Sequence, residues 1–137
     1  MEPPRLVDPE QPLLDGYVIR LPFPMARRVE DGSLVFWHTP KGLTFWISAG
    51  ERDHATDPLE DWKSSRSTAA QDECVERAGA LLRYGYRLEE ESDDGRQSAF
   101  YGFVAEGRAE FSIAAYFDSP ETIEDVLETW RSIRAAN

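Results

Sequence analysis

The sequence predicts an α+β protein: an antiparallel sheet of about six strands, flanked by helices as in an α/β/α sandwich. Two observations support this fold class. Three strand-like runs precede a helix-start signal at 57–60, and three more precede a second helix-start signal at 119–122. Apolar residues also alternate along most of these runs, as is typical of strands. The order β-β-β-α-β-β-β-α predicts that each helix covers a sheet built by its neighbours in sequence.

The first block follows a polar segment. Residues 1–12 contain four prolines, which favours an extended, weakly ordered N-terminal arm over 1–13, ahead of a single domain over 14–137. Within this block the pattern predicts strands over 17–21, 33–39 and 43–49, separated by turns rich in proline and glycine. The last two strands carry bulky residues on both faces, as in Phe36-Trp37 and Phe45-Trp46. We therefore expect this hairpin to be covered on both sides.

The mid-chain helical region has an uneven pattern. Asp57 and Pro58 fit the start of a helix, and an apolar stripe begins at Leu59 and Trp62. The polar run 64–68 interrupts this stripe. Helical spacing then resumes at Ala70, Cys74, Ala78 and Leu81, and Gly79 offers a stop signal. Either one helix with a weak middle or a short helix followed by a longer one fits this pattern.

The second block has a clearer pattern. Strands are predicted over 82–88, 97–105 and 109–117, and Asp94-Gly95 fits the tight turn of a hairpin. A last helix is predicted over 120–134. Its acidic residues come first and its basic residues last, which complements the helix dipole. Its apolar residues share one stripe: Ile123, Val126, Leu127, Trp130 and Ile133.

Composition limits the classes of partner. The 137 residues have a net charge of −11 and 41% hydrophobic residues, so we expect a packed core and an acidic surface. Phosphate groups would repel that surface, which argues against nucleic acid or anionic membrane as a partner and favours a basic protein. The single Cys74 fits a reducing cytoplasm. We find no secretory signal and no membrane-spanning run. We expect a monomer or homodimer.

Several segments together resemble a known family. They are the opening run 16–22, the hairpin with two aromatic pairs, the mid-chain helix, the tyrosine-rich later strands and the terminal run 130–133. This combination, spanning roughly 14–134, resembles the PsbP-like fold. That fold occurs in a photosystem subunit, a Ran-binding protein and bacterial secretion-associated proteins. The resemblance implies an antiparallel sheet flanked by helices and a non-enzymatic binding or adaptor role.

Candidate chemistry is sparse. His38, His54 and Cys74 could in principle form a nucleophile and base, but no local motif places them together, and Cys74 fits a small buried thiol. Glu51, Asp53, His54 and Asp57 share a loop, yet their spacing matches no standard metal site. We therefore predict a protein that is not an enzyme and that needs no cofactor or metal.

Aromatic and acidic residues are the better functional lead. Two alternatives exist for the aromatics: helices on both faces bury them, which we expect, or part of one face is an open groove for a partner. The acidic run at the tip of the second hairpin is either solvated charge or a contact for a basic partner. The candidate partner-binding residues are Trp37, Trp46, Glu90, Asp93 and Asp94.

These observations predict a small cytoplasmic protein-binding module. We expect an immunity protein or a secretion-associated adaptor or chaperone, whose partner is a protein such as a basic toxin or secreted effector. One alternative is a carrier or sensor of a small apolar ligand held between sheet and helix. A second alternative is a small hydrolase that uses His38 or His54.

Overall fold

A computed structural model describes residues 5–52, 57–92 and 95–136, and within these ranges the protein is predominantly antiparallel β-sheet. The strands are β1 (Leu6–Val7), β2 (Glu10–Pro12), β3 (Tyr17–Arg20), β4 (Met25–Glu30), β5 (Ser33–His38), β6 (Leu43–Glu51), β7 (Gln71–Ala78), β8 (Leu81–Ser92), β9 (Gly95–Glu106), β10 (Ala109–Phe117) and β11 (Arg134–Ala135). The α-helices are α1 (Leu59–Ser65) and α2 (Ile123–Arg131). Neither helix has the length and hydrophobicity needed to cross a membrane.

The strands form two sheets. Among the described residues, eight strands make a large sheet in the order β1-β4-β5-β6-β10-β9-β8-β7, and three make a small sheet in the order β11-β3-β2. The predicted α+β class, with an α/β/α sandwich of about six strands, is therefore wrong, and the protein is mainly β-sheet. Short helices contribute little to this architecture, and the additional strands are ones that the sequence pattern did not reveal.

The largest difference lies at 70–81, where the predicted longer helix is a strand. Only α1 is helical in the mid-chain region, and β7 follows it as the edge strand of the large sheet. Gly79 does not end a helix. It has a φ of 60° in the turn that reverses the chain from β7 into β8. Cys74 lies half-buried on this edge strand, and its thiol donates to the Glu76 carboxylate at 3.5 Å.

Other boundaries also differ from the prediction. The strand β4 was missed, because only its first two residues, Met25 and Ala26, are buried. Part of the N-terminal arm is ordered: β1 pairs with β4, and β2 pairs with β3. The last helix is shorter than predicted. A 3₁₀ turn at Pro120–Thr122 precedes α2, and β11 follows it.

The main core lies on one face of the large sheet, here called the covered face. Helix α2 and the small sheet pack against it through Ile19, Leu21, Val126, Trp130 and Ile133, all at most 2% exposed. The Trp130 ring lies beside Phe100, with ring centroids 5.1 Å apart. It also lies over Gly85 and Gly102, where a Cβ atom would approach its ring to 3.3 Å and 2.7 Å, respectively. These two glycines let the indole sit directly on the strands β8 and β9.

The second face of the large sheet is covered at one end. Trp62 of α1 stacks on Phe103 with ring centroids 5.3 Å apart, and its Nε1 donates to Glu110 at 2.9 Å. Trp62, Leu82, Tyr84, Tyr86 and Ala105 form a smaller buried cluster beneath α1 and the segment that follows it. The expectation that the hairpin of β5 and β6 is covered on both sides is wrong, because α1 packs over β8 and β9.

Candidate functional site

The uncovered part of the second face carries four aromatic side chains on four neighbouring strands. They are Trp37 of β5, Trp46 of β6, Tyr116 of β10 and Tyr101 of β9, and each is half-exposed. We call this surface the open aromatic face. Strand pairing places these residues on one face, because residues that are opposite each other in antiparallel strands project to the same side.

Large and small side chains alternate across the open aromatic face. In one cross-strand row, Trp46 pairs with Ala114, and Ala114 pairs with Tyr101. In the next row, Trp37 pairs with Thr44, and Thr44 pairs with Tyr116. The small residues therefore lie between aromatic walls, and the surface has hollows above them.

Two such hollows are open to solvent. The first, the Ala114 hollow, lies between Trp46 and Tyr101 and has a volume of about 540 Å³. The second, the Thr44 hollow, lies between Trp37 and Tyr116 and has a volume of about 290 Å³. Tyr116 lines both, so the two hollows are neighbours on one surface.

Next to Trp46 on the same face, Val35 is fully buried and leaves no hollow. Arg28 pairs with Val35 across β4 and β5, and its guanidinium lies over the rings of Trp37 and Trp46, at 4.7 Å and 5.8 Å from their centroids. Glu30 accepts from this guanidinium at 2.9 Å. A cation over an indole face is attracted by the negative face of the ring. The open aromatic face thus holds one arginine of its own.

Asp118 lines the Thr44 hollow, whereas Glu90 does not line the Ala114 hollow but binds one of its walls, Tyr101. The Tyr101 hydroxyl donates to Glu90 and lies 3.2 Å from the Tyr116 hydroxyl. Burial and the bond to Glu90 raise the pKa of Tyr101 far above its ordinary value, so this hydroxyl stays protonated and keeps donating. Asp118 lines the Thr44 hollow. Gly42, with a φ of 58°, makes room for it, because a Cβ there would overlap the Asp118 carboxylate.

The structure brings together three of the five residues predicted to bind a partner. Trp37, Trp46 and Glu90 lie on the same face of the large sheet, whereas Asp93 and Asp94 lie outside the described residues. The neighbouring acid Glu89 projects to the opposite face, where it accepts from Ser98 at 3.0 Å. The acidic run is therefore divided between the two faces, as the alternation of a strand requires.

Sequence reasoning missed Arg28 and Asp118 as parts of this surface. The strand β4 was not predicted, so nothing placed Arg28 beside the two tryptophans. Asp118 lies just after β10, and it reaches the Thr44 hollow because its backbone N–H donates to the Gly42 carbonyl at 3.2 Å. The available signal was the alternation of β10, which, continued one residue past Phe117, puts Asp118 on the same side as Tyr116.

The residues considered for catalysis lie far apart. His38 is on β5 and Cys74 on β7, and four strands separate them, a distance of roughly 24 Å at the usual strand spacing. The His38 Nδ1 accepts from the Lys41 backbone N–H at 3.3 Å. Burial, followed by the charge of Glu76, raises the pKa of the Cys74 thiol, which disfavours the thiolate. His54 lies outside the described residues.

The loop considered for a metal is only partly described, since Asp53 and His54 lie outside the described residues. Asp57 accepts from the Leu59 backbone N–H and from Arg77, both at 2.9 Å, so it stabilises the start of α1 and holds β7. Within residues 5–52, 57–92 and 95–136, no cluster of three or more acidic, histidine or cysteine side chains is arranged to hold a metal ion.

Comparison with known proteins identifies the fold alone. The sequence matches no protein family and no curated protein. The structure is similar to a crystal structure of a protein from Bacteroides thetaiotaomicron VPI-5482 determined at 1.50 Å, with a TM-score of 0.69 and 12% sequence identity. The match covers 89% of this chain and 46% of that one, so this chain spans about half the length of its structural neighbour.

Proposed function

We propose that this protein is a non-catalytic, cytoplasmic protein-binding module, acting as an immunity protein or as a secretion-associated adaptor or chaperone. The observation that carries the proposal is the open aromatic face. Four half-exposed Trp and Tyr side chains on adjacent strands form a contiguous surface, and such residues are enriched at protein interfaces because they combine apolar area with a polar group.

The charge of the chain supports a basic protein as the partner. A net charge of −11 would steer a positively charged protein toward this molecule and raise the association rate. Fast association helps an inhibitor to neutralise a basic toxin, and charge complementarity helps an adaptor to select its partner. Both uses need a stable scaffold and an exposed contact surface, and neither needs a reactive group.

A carrier of a small apolar ligand between sheet and helix has less support. The space between α2 and the covered face is filled by Trp130, Phe100 and Val126, all at most 1% exposed. A ligand there would have to displace packed side chains. The hollows on the open aromatic face instead lie next to each other on the surface, which suits a polypeptide segment better than an enclosed small molecule.

Quantitative affinity capture tests the proposed function. Tagged wild-type protein and two variants are expressed in the native host, and captured proteins are compared by mass spectrometry. Trp46→Ala removes a wall of the Ala114 hollow. Val29→Ser is the matched control, because Val29 is 61% exposed but projects to the opposite face of the sheet. We expect a partner that wild type and Val29→Ser retain and Trp46→Ala loses. Equal recovery with all three proteins would contradict the proposal.

A further inference from the structure

We propose that the Ala114 hollow and the Thr44 hollow bind two basic side chains of one extended partner segment, with a single residue between them. The inference rests on the proposed function, since it specifies which chemistry of the partner the open aromatic face recognises. It is carried by three observations: the arginine that the face already holds, the carboxylate beside each hollow, and the distance between the hollows.

The first observation is that this face already holds one cation, Arg28. Its guanidinium lies over Trp37 and Trp46, and Glu30 pairs with it at 2.9 Å. Two indole rings with a carboxylate beside them therefore hold a cation on this face. Trp and Tyr rings attract Arg and Lys in this way in many proteins.

The second observation is that both open hollows have aromatic walls with a carboxylate near them. The Ala114 hollow has Trp46 and Tyr101 as walls, and Glu90 accepts from the Tyr101 hydroxyl. The Thr44 hollow has Trp37 and Tyr116 as walls, and Asp118 lines it.

The Thr44 hollow thus offers aromatic walls and a lining carboxylate to a cation, and the Ala114 hollow offers aromatic walls next to the Tyr101–Glu90 pair. Because Glu90 and Asp118 are acidic, an acidic or phosphorylated segment would be repelled here.

The third observation is the distance between the hollows. Thr44 pairs with Tyr116, which lies two residues after Ala114 on β10. The two floors are therefore one strand apart across the sheet and two residues apart along it, roughly 8 Å in total. Side chains at positions i and i+2 of an extended chain lie on the same side, roughly 7 Å apart. A basic residue at every second position of an extended segment matches this distance.

Isothermal titration calorimetry with synthetic peptides tests the inference. The probe is Gly-Ser-Arg-Ser-Arg-Ser-Gly, and the isomer Gly-Ser-Arg-Arg-Ser-Ser-Gly has the same composition with adjacent arginines. A third peptide has glutamates in place of both arginines. We expect saturable binding of the alternating peptide, binding of its isomer that is about tenfold weaker, and no binding of the glutamate peptide. Equal affinity for the two arginine isomers, or no saturable binding of either, would overturn the proposal.

Charge variants separate this site from general attraction to an acidic surface. Asp118→Asn removes the carboxylate of the Thr44 hollow and keeps its shape. Glu128→Gln is the matched control, because it removes the same charge from an exposed position on α2. We expect Asp118→Asn to weaken binding of the alternating peptide several-fold more than Glu128→Gln does. Equal effects of the two substitutions would mean that the arginines are attracted by net charge alone, and would overturn the proposal.

The captured partner distinguishes failure of this inference from failure of the proposed function. If the proposed function is wrong, capture does not depend on Trp46. If only this inference is wrong, capture depends on Trp46 but excess alternating peptide does not compete with the partner. The inference predicts that the alternating peptide releases the partner and that the glutamate peptide does not.

Discussion

The two faces of the large sheet are built by the same strands but differ in what covers them. Along β10, alternate residues from Ala109 to Phe117 are buried on the covered face, whereas those between them, from Glu110 to Tyr116, are half-exposed. Helix α2 and the small sheet pack on the first face. Helix α1 reaches only one end of the second face. Both faces are rich in aromatic residues. The core therefore differs from the candidate binding surface in being covered by other helices and strands of the chain, and not in being more hydrophobic.

The two faces also differ in which aromatic residues the strands supply. Covered positions of β5, β6, β9 and β10 carry phenylalanine: Phe36, Phe45, Phe100, Phe111 and Phe117. Open positions of the same strands carry Trp37, Trp46, Tyr101 and Tyr116. The exception is Phe103, which faces the open side but lies beneath Trp62. Side chains with a polar group suit a surface that meets both water and a partner, whereas phenylalanine suits a dry core.

The largest effect should come from the covered face. Trp130 is fully buried and packs against Phe100. We expect Trp130→Ala to lower the free energy of unfolding by about 3–5 kcal/mol, as for truncation of other core aromatics. Urea denaturation followed by circular dichroism measures this. A loss below about 1 kcal/mol, the range of surface substitutions, would mean that α2 does not hold the core together.

A smaller loss is expected where the backbone meets the same indole. A Cβ at Gly102 would approach both Trp130 Cδ1 and Phe100 Cε2 to 2.7 Å, so Gly102→Ala should overpack the covered face. We expect destabilisation by about 1–3 kcal/mol. Gly50→Ala is a matched control on β6, because nothing lies within 4 Å of a Cβ at that position. Similar denaturation midpoints for the two variants would show that contact with the indole is not what requires a glycine.

On the open aromatic face, a substitution should weaken partner binding more than it lowers stability. Trp46 is half-exposed, and truncation removes part of its burial and its contact with Arg28. We expect Trp46→Ala to lower the free energy of unfolding by only about 1 kcal/mol, while weakening partner binding at least about tenfold. Denaturation and binding assays on the same preparation measure both effects. A loss of stability as large as that of Trp130→Ala would make Trp46 a core residue.

The smallest effect concerns pH and three tyrosine–glutamate pairs. Burial and a carboxylate acceptor raise the pKa of Tyr17 to about 12, and raise the pKa values of Tyr84 and Tyr101 further. The folded state therefore binds these protons more tightly than the unfolded state. The stability they contribute is complete below about pH 10 and falls as the pH rises through the folded-state values.

We expect the free energy of unfolding to decrease from about pH 10 to about pH 12. Tyr101→Phe removes one titrating group and should flatten the decrease. The Tyr101 pair lies on the open aromatic face, whereas the Tyr17 hydroxyl donates to Glu106 at 2.6 Å and its ring packs on Phe111 of the core. A slope that none of the three Tyr→Phe substitutions changes would contradict the assignment of these pKa shifts.

Strong alternation predicted part of the fold correctly. The strands of the second block and the apolar stripe of α2 have regular patterns, and the hairpin of β5 and β6 is marked by its flanking turns. The pattern failed at β7, whose helical spacing at Ala70, Cys74 and Ala78 arises because an edge strand has few buried positions to enforce a period of two. A register shift between Gln71 and Cys74, with Asp72 at a φ of 52°, further obscures the pattern.

The candidate site could be predicted only in part. The high number of aromatic residues in the strands identifies Trp37 and Trp46 as candidates. Whether helices cover them depends on where later segments of the chain pack against the sheet. The sequence pattern predicts a longer helix over 70–81, and such a helix would have covered Trp37 and Trp46. Once this segment is a strand, α1 is too short to reach Trp37 and Trp46. Non-local packing, which no local pattern contains, decides what stays open.

The most direct test of the central claim uses the tryptophan indole N–H signals in a ¹H–¹⁵N NMR titration with the captured partner. Trp37 and Trp46 report on the open aromatic face, and Trp130 reports on the covered face. Variants lacking one tryptophan assign the signals. We predict that the partner shifts or broadens the Trp37 and Trp46 signals and leaves the Trp130 signal unchanged. Saturation with the partner that leaves both Trp37 and Trp46 unperturbed would contradict the account.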